Sequence, residues 1–197
     1  MSSEKTISIV MAGVGGQGIL LASEVTARTA ILCGLQVKTN EVHGMAQRGG
    51  SVVAQIRFGS EVYSPLVAEG TADALLSLEA VEALRFHTYL SPSGLAVVSR
   101  QRVIPVTVSS GGAVYPEPEP ALREVFSRLL YLDALAEAQQ LGEPRAANMV
   151  LVGALAKHLS LPLESWEEAL KQCVKAKALE SNRTAFRRGL SLADDFL

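Results

Sequence analysis

The chain has 197 residues with 18 Lys and Arg against 20 Asp and Glu, a formal charge of −2, and only 19% charged against 48% hydrophobic residues. Such hydrophobicity with so little net charge excludes a disordered polymer, and the slight acidic surplus, with a pI near 6.0, lacks the basic footprint by which proteins neutralise nucleic-acid phosphate. No window reaches the roughly 18 uninterrupted apolar residues of a membrane-spanning helix, and the length reads as one domain, residues 1–197, able to bury roughly 70% of its unfolded surface.

Thr6 to Met11 is β-rich and runs into the cluster Gly13-Val14-Gly15-Gly16-Gln17-Gly18. A helix is expected next, with Ile19, Leu20, Val25, Ala27 and Ile31 at helical spacing and Gly34 as its carboxy-terminal cap. Leu35 to Thr39 returns as a strand, giving a βαβ-type unit. The periodicity lapses over Asn40 to Gly50, which predicts a loop. Further strands are predicted at Ser51 to Phe58, at Glu61 to Tyr63 as the return of a hairpin turned by Gly59-Ser60, at Ala72 to Leu78, Leu95 to Ser99, Val103 to Val108 and Leu129 to Leu132. Helices are predicted at Glu79 to Tyr89, Ala134 to Leu141, Ala146 to Leu159, Glu164 to Val174 and Arg183 to Leu190, with Pro144 and Pro162 as breakers. Gly111-Gly112 and Pro116 to Pro120 read as an irregular connector. The expected fold class is α/β: a three-layer α/β/α, Rossmann-like arrangement with a largely parallel or mixed sheet and a helical carboxy-terminal part.

Strand, Gly13-x-Gly15-Gly16-x-Gly18, then helix is the context of a dinucleotide fingerprint, in which backbone N–H groups meet an anion at the positive end of the helix. The ribose-binding acid expected about 20 residues on has Glu41 as its nearest candidate, a few residues late. A ligand-free packing turn and an adenylating enzyme of the ubiquitin-activating type are the other readings of the same loop, although the CxxC pairs common in the latter are absent. The segment Glu41-Val42-His43-Gly44-Met45-Ala46-Gln47-Arg48-Gly49-Gly50 packs an acid, an imidazole, an amide, a guanidinium and three glycines into ten residues. Arg48 offers a rigid fork to carboxylate or phosphate, Gln47 donates and accepts, His43 adds an imidazole, and Gly49-Gly50 admit a partner or ligand close to the backbone. The plain alternative is a solvated loop in which Arg48 pairs with Glu41.

These two segments, with Arg145-Ala146-Ala147-Asn148-Met149-Val150 and Asn182-x-x-Ala185-Phe186-x-x-Gly189 in the same order downstream, resemble the gamma-type domain of thiamine-dependent 2-oxoacid:ferredoxin oxidoreductases. The wording of the second segment is closest to the beta subunits of the indolepyruvate branch. The resemblance spans nearly the whole chain. It implies an obligate subunit, inactive alone, of a complex that oxidatively decarboxylates an aryl 2-oxoacid, with coenzyme A as acyl acceptor and ferredoxin as electron acceptor. It places thiamine diphosphate and 4Fe-4S clusters on a larger alpha subunit, and two isolated cysteines, Cys33 and Cys173, agree, since they cannot ligate a cluster. It also implies that Gly13, Gly15, Gly16, Gln17, Gly18, Glu41, His43, Gln47, Arg48, Gly49, Gly50 and Asn148 bind a ligand or face the partner, with no catalytic or metal-binding residue of the chain's own.

Elsewhere the residues read more plainly. His87 and His158 fall among apolar residues in predicted helices, Cys33 and Cys173 act as small hydrophobes, Asn148 suits a helix cap, and Arg187-Arg188 suit a solvated helical face. The amino terminus Met-Ser-Ser-Glu-Lys has no apolar stretch resembling a signal sequence, so a cytoplasmic setting is expected. The apolar excess is explained by a large core or by a face covered by a partner, a face through which the isolated chain could also form a homodimer, although the sequence does not decide its oligomeric state.

Overall fold

The computed structural model describes residues 6–44, 49–104, 106–112 and 114–194. Its centre is strand β1 (Ile7–Val14), in a six-stranded sheet of order β2-β3-β1-β4-β5-β6 with β2 (Gln36–His43), β3 (Ser51–Gly59), β4 (Ala72–Ser77), β5 (Leu90–Ser99) and β6 (Leu129–Leu132). Strands β1, β4, β5 and β6 run parallel, while β3 is antiparallel to both β1 and β2. Ile9, Val10, Met11 and Ala12 are fully buried, as expected of a central strand covered on both faces, whose sequence is a continuous apolar run.

Helix α1 (Ile19–Leu32) follows β1 and ends as anticipated, with Gly34 at φ +77° in the left-handed conformation that closes helices. Its companions on the same face are α5 (Ala134–Gln140), α6 (Ala147–Ala156), α7 (Leu163–Cys173) and α8 (Leu179–Asp194). Ile9 and Met11 pack there with Met149, Leu151, Trp166 and Phe186. On the opposite face α2 (Ala80–Arg85) and α4 (Pro118–Val125) cover Val10, Leu75 and Val98, with Leu122 and Phe126 closing the cluster. The short α3 (Val106–Ser109) lies in the connection out of β5. This is the three-layer α/β arrangement with a mixed sheet, parallel from β1 to β6.

The run Asn148 to Ala156 is buried throughout because α6 is sandwiched between the sheet and α8. The two helices meet backbone to backbone: a Cβ on Gly153 would fall on the Phe186 carbonyl, and one on Gly189 would fall on the Val150 carbonyl. Arg187 is not simply solvated, since it pairs with Glu167 of α7, and Arg188 pairs with Glu137 of α5, so both fasten α8 to its neighbours.

Four local expectations are corrected. Asn40 to His43 belong to β2, because β3 supplies a hydrogen-bonding partner as far as His43 opposite Val52. Glu61 to Tyr63 form no strand; Val62 and Val67 are the buried anchors of an irregular cover over the sheet. Among the described residues of Val103 to Val108, the only regular piece is the start of α3. Pro118 opens α4, its fixed φ suiting a first helical turn. Among the described residues no helix is long and apolar enough to cross a membrane.

Candidate functional site

The connection leaving β1 passes over one face of the sheet through α1, and the connection leaving the adjacent parallel strand β4 passes over the other through α2. Connections that diverge in this way open a crevice at the carboxyl ends of the two strands, the place where open α/β sheets bind their ligands. The glycine cluster occupies that crevice. It is one wall of a cleft of about 300 Å³ bounded by Gly16, Gln17 and Gly18, by Leu78, Ser99 and Gln101 at the ends of β4 and β5, and by Arg145 and Asn148 at the start of α6.

Gln17 is turned inward as a brace. Its Oε1 accepts from Val14 N–H at 2.7 Å, and its Nε2 donates to the Leu78 carbonyl at 2.9 Å and to Gln101 Oε1 at 3.0 Å. Gly13 makes room for it, since a Cβ there would lie 2.9 Å from Gln17 Oε1. Gly18 holds φ +86°, a conformation costly to any residue with a Cβ. Asn148, only 4% exposed, donates from Nδ2 to the Gly18 carbonyl at 3.1 Å. Asn148 is the second residue of α6 rather than its N-cap; its Oδ1 accepts Met149 N–H at 2.9 Å, so one amide satisfies a first-turn donor and fastens the loop.

The second glycine segment is brought against the first. The antiparallel ladder that pairs Val14 with Ser51 continues into the loops, with Gly15 N–H donating to the Gly50 carbonyl at 2.8 Å and Gly49 N–H reaching the Gly15 carbonyl at 3.4 Å. Across the β2–β3 pair, Gly44 N–H donates to the Ser51 carbonyl at 3.0 Å. His43 joins Gly15, Gly16, Gly18, Ile19, Leu20 and Val52 around a second, more apolar cleft of about 290 Å³. Glu41 is exposed on the edge strand, opposite Ala54. Because β3 intervenes between β1 and β2, Glu41 stands one strand farther out than the ribose-binding acid of a dinucleotide fold, whose second strand adjoins the first. Gln47 and Arg48 lie outside the described residues.

The amino terminus of α1 has neither an acidic residue in its first turn nor a side-chain cap, so its N–H groups and partial positive charge suit an anion. Arg145, with its side chain 94% exposed and Glu143 no nearer than 3.9 Å, stands over the same cleft. Arg145, Ser99 and Gln101 were not singled out as site residues from the sequence. Arg145 was legible only through its place beside Asn148, and Gln101 carried no signal, since its contact with Gln17 spans 84 positions. At the start of α2, burial and then its hydrogen bond to the Glu79 carboxylate hold the Tyr115 phenol well above its ordinary pKa, so it remains a donor.

A family model described as pyruvate ferredoxin/flavodoxin oxidoreductase matches residues 8–192. The chain is 41% identical over 192 residues to indolepyruvate oxidoreductase subunit IorB of Archaeoglobus fulgidus, covering 95% of both. It is 42% identical over 199 residues to the subunit of that name from Pyrococcus horikoshii, covering 98% of both. Among solved structures, the gamma subunit of a keto/oxoacid ferredoxin oxidoreductase from Geobacter sulfurreducens has the same fold, with a TM-score of 0.71 at 24% identity over 96% of this chain and 99% of that one. The 2-oxoglutarate:ferredoxin oxidoreductase of Magnetococcus marinus, solved with 2-oxoglutarate, coenzyme A and succinyl-CoA bound, contains the fold within a longer chain: TM-score 0.75 at 23% identity, over 98% of this chain and 32% of that one.

Proposed function

Since the chain belongs to the pyruvate ferredoxin/flavodoxin oxidoreductase family, we propose that it acts as one unit, the non-cofactor subunit of an indolepyruvate, or more generally aryl 2-oxoacid, ferredoxin oxidoreductase. The observation that carries this reading is the 41–42% identity to subunits named for indolepyruvate oxidoreductase, end to end on both sides. The complex converts the 2-oxoacid and coenzyme A to acyl-CoA and carbon dioxide and passes two electrons to ferredoxin in the cytoplasm.

The chain's own residues do not fit the redox groups of such a complex. Its two cysteines, Cys33 and Cys173, stand at the ends of different helices, and among the described residues no three His, Cys, Asp or Glu side chains converge as metal ligands. Thiamine diphosphate, which supplies the carbanion chemistry of decarboxylation when bound, and the 4Fe-4S clusters are assigned in this proposal to a larger alpha subunit, as the family resemblance implies. This chain supplies the crevice. Gly13, Gly15, Gly16, Gly18, Gly49 and Gly50 bring its backbone close to the partner, braced by Gln17 and Asn148, with His43 and Glu41 on the neighbouring strand, and Gln47 and Arg48 are assigned to ligand or partner recognition by their chemistry. The N–H groups at the start of α1 and the Arg145 guanidinium offer a place for one anionic group: the substrate carboxylate, a coenzyme A phosphate or the cofactor diphosphate. When isolated, the same face is free for homodimerisation.

Co-expression with the thiamine- and cluster-bearing subunit of the same organism tests the proposal. The expected result is a stable complex in which coenzyme A-dependent ferredoxin reduction by indolepyruvate requires this chain. Full activity of the large subunit alone would overturn it. A self-sufficient NAD(P)- or flavin-binding protein is the competing reading, disfavoured by the displacement of Glu41; calorimetric binding of a nucleotide to the isolated chain would revive it.

A further inference from the structure

Two carboxylates in the first turn of α2 are almost fully buried, Glu79 at 2% and Glu82 at 6% exposure. Charged groups are not buried without partners, and most of theirs are distant in sequence. One oxygen of Glu79 caps α2 by accepting Glu82 N–H at 2.8 Å. A cap needs no more than that, yet the second oxygen accepts Val103 N–H at 3.3 Å and the Tyr115 hydroxyl. Glu82 accepts from Arg85 Nε at 3.1 Å with one oxygen and from the Ser51 hydroxyl with the other.

Two of these distant partners stand next to walls of the crevice. Ser51 follows Gly50, whose carbonyl holds Gly15, and its own carbonyl holds Gly44. Val103 lies two residues past Gln101, whose side chain receives Gln17 and whose carbonyl accepts Ala80 N–H at 3.2 Å. Neither carboxylate lines the cleft itself. Apolar residues of the same volume would fill the space at lower electrostatic cost. What the carboxylates add is a fixed register between segments that no strand joins.

We infer that Glu82, acting through Ser51, and Glu79, acting through Val103 and Tyr115, are positioning residues that set the spacing of the crevice walls. The inference rests on the proposed function for the identity of the site, and the test separates the two. In the assembled complex, Ser51→Ala and Glu82→Ala each raise KM for coenzyme A or for the 2-oxoacid about tenfold, the equivalent of one hydrogen bond to a charged group. Turnover at saturation is retained. The double variant is no worse than the poorer single, because both remove one interaction, and Glu82→Gln, which keeps an acceptor for Ser51, restores most of the affinity. Tyr115→Phe gives the same KM effect from the Glu79 side. In the isolated full-length chain, Ser51→Ala, the milder change, accelerates amide exchange at Gly15 and Gly44 while Leu76 in the core is unaffected. Unchanged KM together with unchanged exchange at those two glycines, with only Tm lowered, would reduce the carboxylates to stability elements. Additive losses in the double variant would also overturn the inference. If the wild-type complex is inactive, the functional proposal fails, and the positioning role is decided by exchange at Gly15 and Gly44 alone.

Discussion

Replacing Gly18 by alanine tests the joint between the glycine loop and α6. At φ +86° an L-residue costs about 1–2 kcal/mol. The new Cβ would lie 2.6 Å from Asn148 Nδ2, so the amide must withdraw and its hydrogen bond to the Gly18 carbonyl is lost; the carbonyl keeps Ala22 N–H at 3.1 Å, but the buried Asn148 NH2 is left unpaired at about 1–3 kcal/mol. Reduced freedom of the unfolded chain returns about 0.4–1 kcal/mol. The net loss is about 1–5 kcal/mol, and a value near the middle, about 3 kcal/mol, lowers Tm by about 6–12 °C for a chain of this size. Trp166, the single tryptophan, is 1% exposed with its ring centroid 5.6 Å from that of Phe186, so its fluorescence reports unfolding directly in a urea titration. The clash requires Asn148. In an Asn148→Ala background the further cost of Gly18→Ala should fall short of its cost in the wild type by about 1–3 kcal/mol. Strict additivity of the two substitutions, or an unchanged Tm for Gly18→Ala, would refute the reasoning.

Gly142→Ala, at φ +82° with open space around the new methyl, should cost only the conformational penalty of about 1–2 kcal/mol. Gly189→Ala, which drives a methyl into the Val150 carbonyl, should instead exceed about 3 kcal/mol or prevent folding; comparable urea midpoints for the two would contradict the backbone contact of α6 with α8. Arg145→Ala should leave stability within about 0.5 kcal/mol, as for an exposed side chain, while weakening the complex's affinity for its anionic substrate or cosubstrate about fivefold, roughly 1 kcal/mol; unaltered KM values would remove Arg145 from the site. Burial, reinforced by Arg128 and Lys157, holds the His158 pKa below its ordinary value. The unfolded chain then binds this proton first, so stability falls as pH drops below about 6.5 toward the folded-state pKa. His158→Gln should flatten that part of a pH series of urea midpoints, and an unchanged slope would show the effect lies elsewhere.

What could be read from the sequence follows from how local its cause was. The β1–loop–α1 unit needs only an apolar run, a glycine cluster and a helical stripe, all contiguous, and its ends were placed closely. Strand β2 was cut short because its side chains from Asn40 onward are largely exposed and show no alternation; its continuation is dictated by β3, a tertiary partner. The juxtaposition of the two glycine segments is set by the β1–β3 register, a tertiary pairing with no local signal in either segment. The inward turn of Gln17 depends on Leu78 and Gln101, which are 61 and 84 positions away. Glu79 and Glu82 carry no such signal, since nothing in a sequence distinguishes a capping carboxylate from one whose second oxygen reaches another loop. Arg145 was quoted only as a neighbour of Asn148, and a lone exposed arginine carries no local signature.

The backbone contact between α6 and α8 also has a consequence for how the chain is made. Synthesis runs from the amino terminus, so α6 is made before the helix that covers it, which begins at Leu179. Until α8 docks, the apolar outer side of α6 has no backbone of its own chain to pack against, and that interval exposes the growing chain to aggregation.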